Sequence, residues 1–173
     1  YRERKRRVIE MNSRMAAFAL ASLAAAVVLT LVLMGFGALG RHVGAVVFLF
    51  GFGWLSGLGL AKLYKIVAFL TWLECYGPVL GKTKTPRVQD LVVERRAIAW
   101  FLLYFAGVWC ATAALLIDLP TAFRFAAGAM TAATAGLIVQ LIRARRLADV
   151  DASLRLPKGV HRPPLLFSAA QHA

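Results

Sequence analysis

The sequence predicts an all-α integral membrane protein: a four-helix bundle of two antiparallel hairpins, with an interfacial helix in a cytoplasmic middle loop. Three observations predict it. The 173 residues are 60% hydrophobic yet carry 21 Lys and Arg against 8 Asp and Glu, a net charge of +13. Soluble basic proteins do not combine these values. Four apolar runs are long enough to cross about 30 Å of hydrocarbon at about 1.5 Å per residue. The basic residues gather in alternate gaps between those runs. The composition excludes a disordered or collagen-like chain, and Cys75 and Cys110 alone make no disulfide framework.

The first span, 15–39, has no charge between Arg14 and Arg41. A basic stretch, Arg2-Glu3-Arg4-Lys5-Arg6-Arg7, lies ahead of it. A secretory h-region is about 7–15 residues, so this longer run is expected to be a retained span. The chain opens at Tyr1, which agrees with a fragment or a processed chain. The second span, 43–61, and the third, 97–117, are uncharged. The fourth, 122–142, holds Arg124 near its first turn, from where it reaches headgroups by snorkelling. Lipid penalises unsatisfied backbone, so all four are expected as helices. Leu39-Gly40-Arg41-His42 and Asp118-Leu119-Pro120-Thr121 make tight outer turns, with Asp118 or Thr121 as a cap and Pro120 near a helix start.

Segment 62–96 reads as an extension of span two or as a helix lying on the membrane surface. Its apolar positions Ile66, Phe69, Leu70 and Leu73 share a helical face, and Gly77-Pro78 stops the helix. Tyr64, Trp72 and Tyr76 suit headgroup depth. A single helix over 43–76 would be about 51 Å long. That exceeds the apolar layer, so a bend is expected near Gly57, Gly59 or Lys62. Gly81-Lys82-Thr83-Lys84-Thr85-Pro86 lacks Walker spacing and reads as a basic turn for lipid phosphates. Segment 87–94 reads as a second short surface helix. The membrane domain is thus 1–146, and 147–173 is an extended tail rich in proline.

All but Arg41 and Arg124 of the basic residues fall before span one, between spans two and three, or after span four. The positive-inside rule then puts both termini and the middle loop in the cytoplasm, in a bacterial inner membrane. Lys62, Lys65, Trp72, Lys82, Lys84, Arg95, Arg96, Arg143, Arg145 and Arg146 are expected at the interface, with anionic phospholipids as partners. A nucleic-acid surface would need aromatic residues interleaved with basic ones along a groove, and no nucleic-acid partner is expected.

Small residues let helices approach closely in lipid. Gly51, Gly53, Gly57 and Gly59 in span two, and Gly128, Ala132 and Gly136 in span four, are the candidate packing positions. Ala17, Ala21 and Ala25 form a similar stripe in span one. Ionisable groups at membrane depth would mark an ion or electron pathway, and the apolar runs hold none beyond Arg124. His42 at the outer turn, and Glu74 and Cys75 at the inner surface, remain as functional candidates. Glu74 is expected to pair with Lys62 or Lys65. No catalytic or metal site is expected, and haem only with ligands from outside this chain.

The stretch Tyr64-Lys65-Ile66-Val67-Ala68-Phe69-Leu70-Thr71-Trp72-Leu73-Glu74-Cys75-Tyr76-Gly77-Pro78, with Gly81-Lys82 and Pro86-Arg87-Val88-Gln89-Asp90-Leu91, resembles a segment of bacterial multi-span proteins related to haem–copper oxidase subunit I. It covers about 30 of the 173 residues. In those relatives the tryptophan is followed by a histidine-containing turn, whereas Glu74-Cys75 stands here. The family has twelve helices and intramembrane histidine ligands. The resemblance therefore implies a C-terminal part or a ligand-free relative, and lends no catalytic residue. The resulting expectation is a non-catalytic accessory subunit or domain that packs against other membrane subunits. The alternatives are a haem-linked electron-transfer domain and a small transporter.

Overall fold

A computed structural model describes residues 11–81, 85–152 and 154–155. Helix α1 is Met11–Gly35 and α2 is Leu39–Phe48. Helix α2 runs directly into a π-helical segment, Leu49–Ser56, and then into α3, Gly57–Tyr76, which ends in a 3₁₀ turn at Gly77–Val79. A second 3₁₀ turn, Val88–Leu91, precedes α4, Glu94–Leu116, and α5, Pro120–Arg145. No strand occurs among the described residues. Four helices are long and apolar enough to cross a membrane: Asn12–Gly35, Leu39–Val79, Glu94–Leu116 and Pro120–Arg145.

The second of these follows the first of the two readings of segment 62–96, an extension of span two. The segment from Lys62 onward starts no new helix but continues the old one for a total of 41 residues. Helical structure persists through Gly57, Gly59 and Lys62. The irregular part is the π-helical segment upstream. Lys82, Lys84 and the tail beyond 155 lie outside the described residues.

The turn between the first two spans also falls earlier than the charge pattern implies. Gly37 takes φ +66°, a left-handed conformation that glycine adopts without a Cβ clash. Its N–H reaches Met34 O at 3.0 Å, and the Ala38 N–H reaches Leu33 O at 2.8 Å. This pair of bonds closes α1 as a Schellman motif. Leu39-Gly40-Arg41-His42 is therefore the first turn of α2. At the second outer turn Asp118 is itself left-handed, and Pro120 opens α5. Asp118 makes no cap; its carboxylate accepts from Arg41 Nη2 at 2.8 Å and ties the two turns together.

Burial follows a seven-residue repeat of small side chains. In α1 the buried positions are Met15, Ala19, Ser22, Ala26 and Leu33. In α3 they are Gly57, Ala61, Tyr64, Ala68, Thr71 and Cys75, with Tyr76 buried beside them at the helix end. In α5 they include Ala126, Met130, Ala133, Leu137 and Ala144. Steps alternating between four and three residues keep a seam facing its neighbour, as in a coiled coil. The stripes expected in spans one and four stepped by four, which drifts around an α-helix by about 40° per step. Ala17, Ala21, Gly128 and Ala132 accordingly face outward. The predicted apolar face of the middle segment is turned outward too, with Ile66, Phe69, Leu70 and Leu73 all exposed. Where the surroundings are hydrocarbon, large apolar side chains lose nothing by facing out, and small ones go inside to bring backbones together.

The π-helical segment has its own spacing. Ala45, Leu49, Gly53, Gly57 and Ala61 are buried at every fourth residue. An α-helix would rotate that row away from the core, whereas the wider π turn holds it in place. Gly53 is needed there, because a Cβ would lie 2.8 Å from the Ser22 Cβ. Gly57 sits equally close to the Phe105 ring. Gly136 lies beneath the Trp100 indole, which a Cβ would overlap. Phe101, Tyr104 and Phe105 of α4 fill the space between the seams.

Candidate functional site

The ionisable groups that sequence reasoning scattered over a membrane surface are drawn together at one end of the bundle. Arg145, the last residue of α5, is 3% exposed. Its Nη1 donates to Glu74 Oε2 at 2.5 Å and lies 3.4 Å from Thr71 Oγ1. Thr71 and Glu74 are three residues apart on α3, so both meet the same guanidinium. Glu74 thus pairs with Arg145, where Lys62 or Lys65 was expected. Arg143, two residues earlier on α5, holds Asp149 with two bonds, Nη2 to Oδ1 at 2.6 Å and Nε to Oδ2 at 3.2 Å. Arg96 Nη1 donates to the same carboxylate at 3.0 Å. The Arg143 hydrogen bond, helped by both positive charges, holds the Asp149 carboxyl below its ordinary pKa against a desolvation penalty.

A small apolar core underlies these pairs. Cys75, Tyr76, Leu91, Leu147 and Val150 are almost fully buried together. Leu147 takes φ 53°, an uncommon conformation for a branched side chain. It is retained because the turn after α5 closes on it: Leu147 N–H bonds Ala144 O, and Ala148 N–H bonds Arg143 O, both at 3.0 Å. The Leu147 side chain is then directed into the core at 0% exposure. The Tyr76 hydroxyl donates to Arg155 O at 2.8 Å and lies 3.1 Å from Leu154 O. Trp72 Nε1 donates to Pro86 O at 2.8 Å. Asp90 Oδ2 accepts from the Arg87 backbone N–H at 2.8 Å and orders the Val88–Leu91 turn.

Several expected interface residues are therefore structural. Arg96, Arg143 and Arg145 make ion pairs within the chain, and Trp72 pins the middle loop. Lys62, Lys65, Arg95 and Arg146 are on the exposed surface. Cys75 is 1% exposed and packs as a small hydrophobe. His42 lies at the opposite end, with its Nδ1 buried and without a hydrogen-bond partner. The packing glycines divide. Gly53, Gly57 and Gly136 lie inside the bundle, whereas a Cβ on Gly51, Gly59 or Gly128 would meet nothing within 4 Å. Asp149, Thr71 and Leu147 were missed. The one signal for them was the carboxylate following an Arg-rich helix end, where a chain reversal brings it back onto those arginines.

Hollows adjoin the bundle, and two of them reach 420 Å³ or more. One, about 420 Å³, lies at the basic end, where Lys65, Asn12 and Glu94 meet apolar side chains of α3 and of the middle loop. The other, about 800 Å³, is a lateral cleft between the second helix and α5, floored by Tyr104. The Tyr104 hydroxyl donates to Phe52 O at 2.9 Å, and the Ser56 hydroxyl donates to Gly51 O at 3.0 Å. Both acceptors belong to the π-helical segment, whose widened turn leaves carbonyls accessible to side chains. Among the described residues no group of three His, Cys, Asp or Glu is placed to hold a metal ion. No protein-family model, curated protein or solved structure matches this chain.

Proposed function

We propose that this chain is a non-catalytic four-span subunit or domain of a bacterial inner-membrane complex, held against partner helices through outward-facing glycines. The carrying observation is the set Gly44, Gly51 and Gly59 on the second helix, each with open space where a Cβ would be. A glycine facing hydrocarbon gains nothing for the helix and costs about 1 kcal/mol against alanine. A glycine facing another helix permits close backbone approach. In this reading the four helices form two antiparallel hairpins with both termini in the cytoplasm. Arg41 and Lys62 bracket an uncharged stretch of about 31 Å at 1.5 Å per residue, close to the thickness of hydrocarbon. The rest of α3 then belongs to the cytoplasmic interface, and the Arg145–Glu74 pair braces it there.

The oxidase-like stretch from Tyr64 to Leu91 supports a respiratory, haem-carrying partner. The test is purification in mild detergent of wild-type chain and of Gly51→Leu and Gly59→Leu. Wild type is expected to co-purify stoichiometrically with other membrane subunits and to lose them in the variants. Unchanged co-purification, or a chain that always purifies alone, overturns the reading. A Soret band in the complex identifies the haem partner.

A second reading, passage of a small amphipathic molecule, is favoured by the lateral cleft with Tyr104, Thr131 and Thr134 along it. Solute flux into proteoliposomes containing only this chain separates it from the first.

A further inference from the structure

We infer that the lateral cleft between the second helix and α5 binds an uncharged, hydrocarbon-soluble alcohol or phenol, which donates its O–H to the cleft wall. The inference rests on the membrane-spanning reading, and needs neither a partner subunit nor passage of a solute.

The place sets the polarity. The cleft runs lengthwise, from Phe48 and Phe123 at one end to Leu60 and Ile138 at the other. On the second helix these limits fall between Arg41 and Lys62, so the cleft lies at hydrocarbon depth in that reading. No charged side chain lines it. An ionic headgroup would enter without a counter-charge and lose its hydration. The volume of about 800 Å³ is within the range of ligand pockets. Phe48 meets Phe123 edge-on and lies beside Phe52, which makes one end of the cleft aromatic.

The hydrogen bonds set the chemistry. The polar side chains along the cleft are Ser56, Tyr104, Thr131 and Thr134, all of them hydroxyls. A hydroxyl has one proton to give and two lone pairs to offer. Tyr104 gives its proton to Phe52 O at 2.9 Å, and Ser56 gives its proton to Gly51 O at 3.0 Å. Thr131 and Thr134 turn theirs back on Ala127 O at 3.0 Å and Met130 O at 2.9 Å. Ser56 also stands within bonding reach of Tyr104, and a bond between the two changes which oxygen accepts without releasing a proton. The backbone N–H groups nearby are used within their helices. The wall therefore presents oxygen acceptors and no uncommitted donor. Water would meet those lone pairs elsewhere, but hydrocarbon supplies none. A ligand O–H fits this wall. An ether, ketone or ester would have to draw a proton away from a backbone carbonyl, giving up one bond to gain another.

The test places the full chain in phosphatidylcholine nanodiscs. Fluorine NMR line broadening reads the binding of fluorinated octylphenol, fluorinated dodecanol and the methyl ether of each, with empty nanodiscs as the partition blank. At least one hydroxyl probe is expected to bind about fivefold more tightly than its own ether, roughly the worth of one hydrogen bond. A preference confined to one probe assigns the ligand to that source, aromatic or aliphatic. Ser56→Ala, Tyr104→Phe, Thr131→Val and Thr134→Val together should bring the hydroxyl probes to the level of the ethers. Thr30→Val removes a hydroxyl that bonds Ala26 O in the same way but lies outside the cleft, and should change nothing. Circular dichroism of each variant checks the fold. If the fourfold variant unfolds, the pair Thr131→Val and Thr134→Val keeps the branched side-chain shape, and the preference must fall there. Equal binding of hydroxyl probes and ethers by the wild-type chain overturns the inference. A preference that survives in the substituted cleft overturns it too, as does an equal loss in Thr30→Val. A chain that does not enter nanodiscs overturns the spanning reading and the inference with it, whereas one that enters and shows no preference overturns the inference alone.

Discussion

At the residue scale, the ion pairs differ in what their loss exposes. Arg145 is 3% exposed and Glu74 39%. Removing Glu74 takes a carboxylate from a guanidinium that water scarcely reaches. Removing Arg145 leaves a carboxylate that water still solvates. Glu74→Ala is therefore expected to destabilise more than Arg145→Leu, with about 1–3 kcal/mol for the former. Thermal unfolding in detergent of the two variants checks the order. Asp149 adds a pH term. Its carboxyl is held below the unfolded value of about 3.9 by Arg143 and Arg96. The stabilisation is then complete above pH about 4 and disappears as pH falls through the lower folded value. The melting temperature should drop in that acid range for wild type, and Asp149→Asn should flatten the drop while lowering the plateau at neutral pH.

At the element scale, the glycines give the sharpest contrast. Gly136→Ala must displace the Trp100 indole, and overpacking of this kind costs about 1–3 kcal/mol. Gly128→Ala meets open space and gains helix propensity, so it should be neutral or stabilising. Equal melting temperatures for the two variants would contradict the packing described for α5. The same contrast shows what the sequence made legible. Uncharged runs revealed four helices, because hydrocarbon length is a strict constraint. Which side of each helix faces inward was not legible from apolar content, because a bilayer would remove the penalty for exposed Val28 or Leu31. The alternating steps of Gly57, Ala61, Tyr64, Ala68, Thr71 and Cys75 were present all along. Of these only Gly57 was among the expected packing positions, because small residues were sought and the alternation of four- and three-residue steps was not.

At the scale of the whole molecule, charge and fold agree at both ends. Arg41 meets Asp118 where the outer turns converge, and the far end gathers the remaining described ion pairs. Arg96, Arg143 and Arg145, expected at the lipid interface, instead meet carboxylates of the chain itself. Composition cannot tell an arginine that contacts phosphate from one that contacts a carboxylate far along the chain, as Arg145 meets Glu74, 71 residues away, and Arg96 meets Asp149, 53 away. The proposed orientation has a direct consequence. In a cysteine-free background, Arg41→Cys should react with a membrane-impermeant maleimide on intact cells, and Arg146→Cys only after permeabilisation. The opposite pattern would reverse the orientation.

The π-helical stretch Leu49–Ser56 bears on how this chain tolerates changes in its own length. In a helix of 3.6 residues per turn, adding or losing one residue swings everything beyond it by about 100°. Anywhere in α1, α4 or α5 such a change would turn small side chains toward lipid and large ones inward. The row Ala45, Leu49, Gly53, Gly57 and Ala61 already carries more residues than the neighbouring heptads use for the same advance. A single deletion between Leu49 and Ser56 would tighten the coil there toward an ordinary helix while the inward rows above and below kept their bearings. This is the part of the second helix where the gene can shorten with least damage to the bundle.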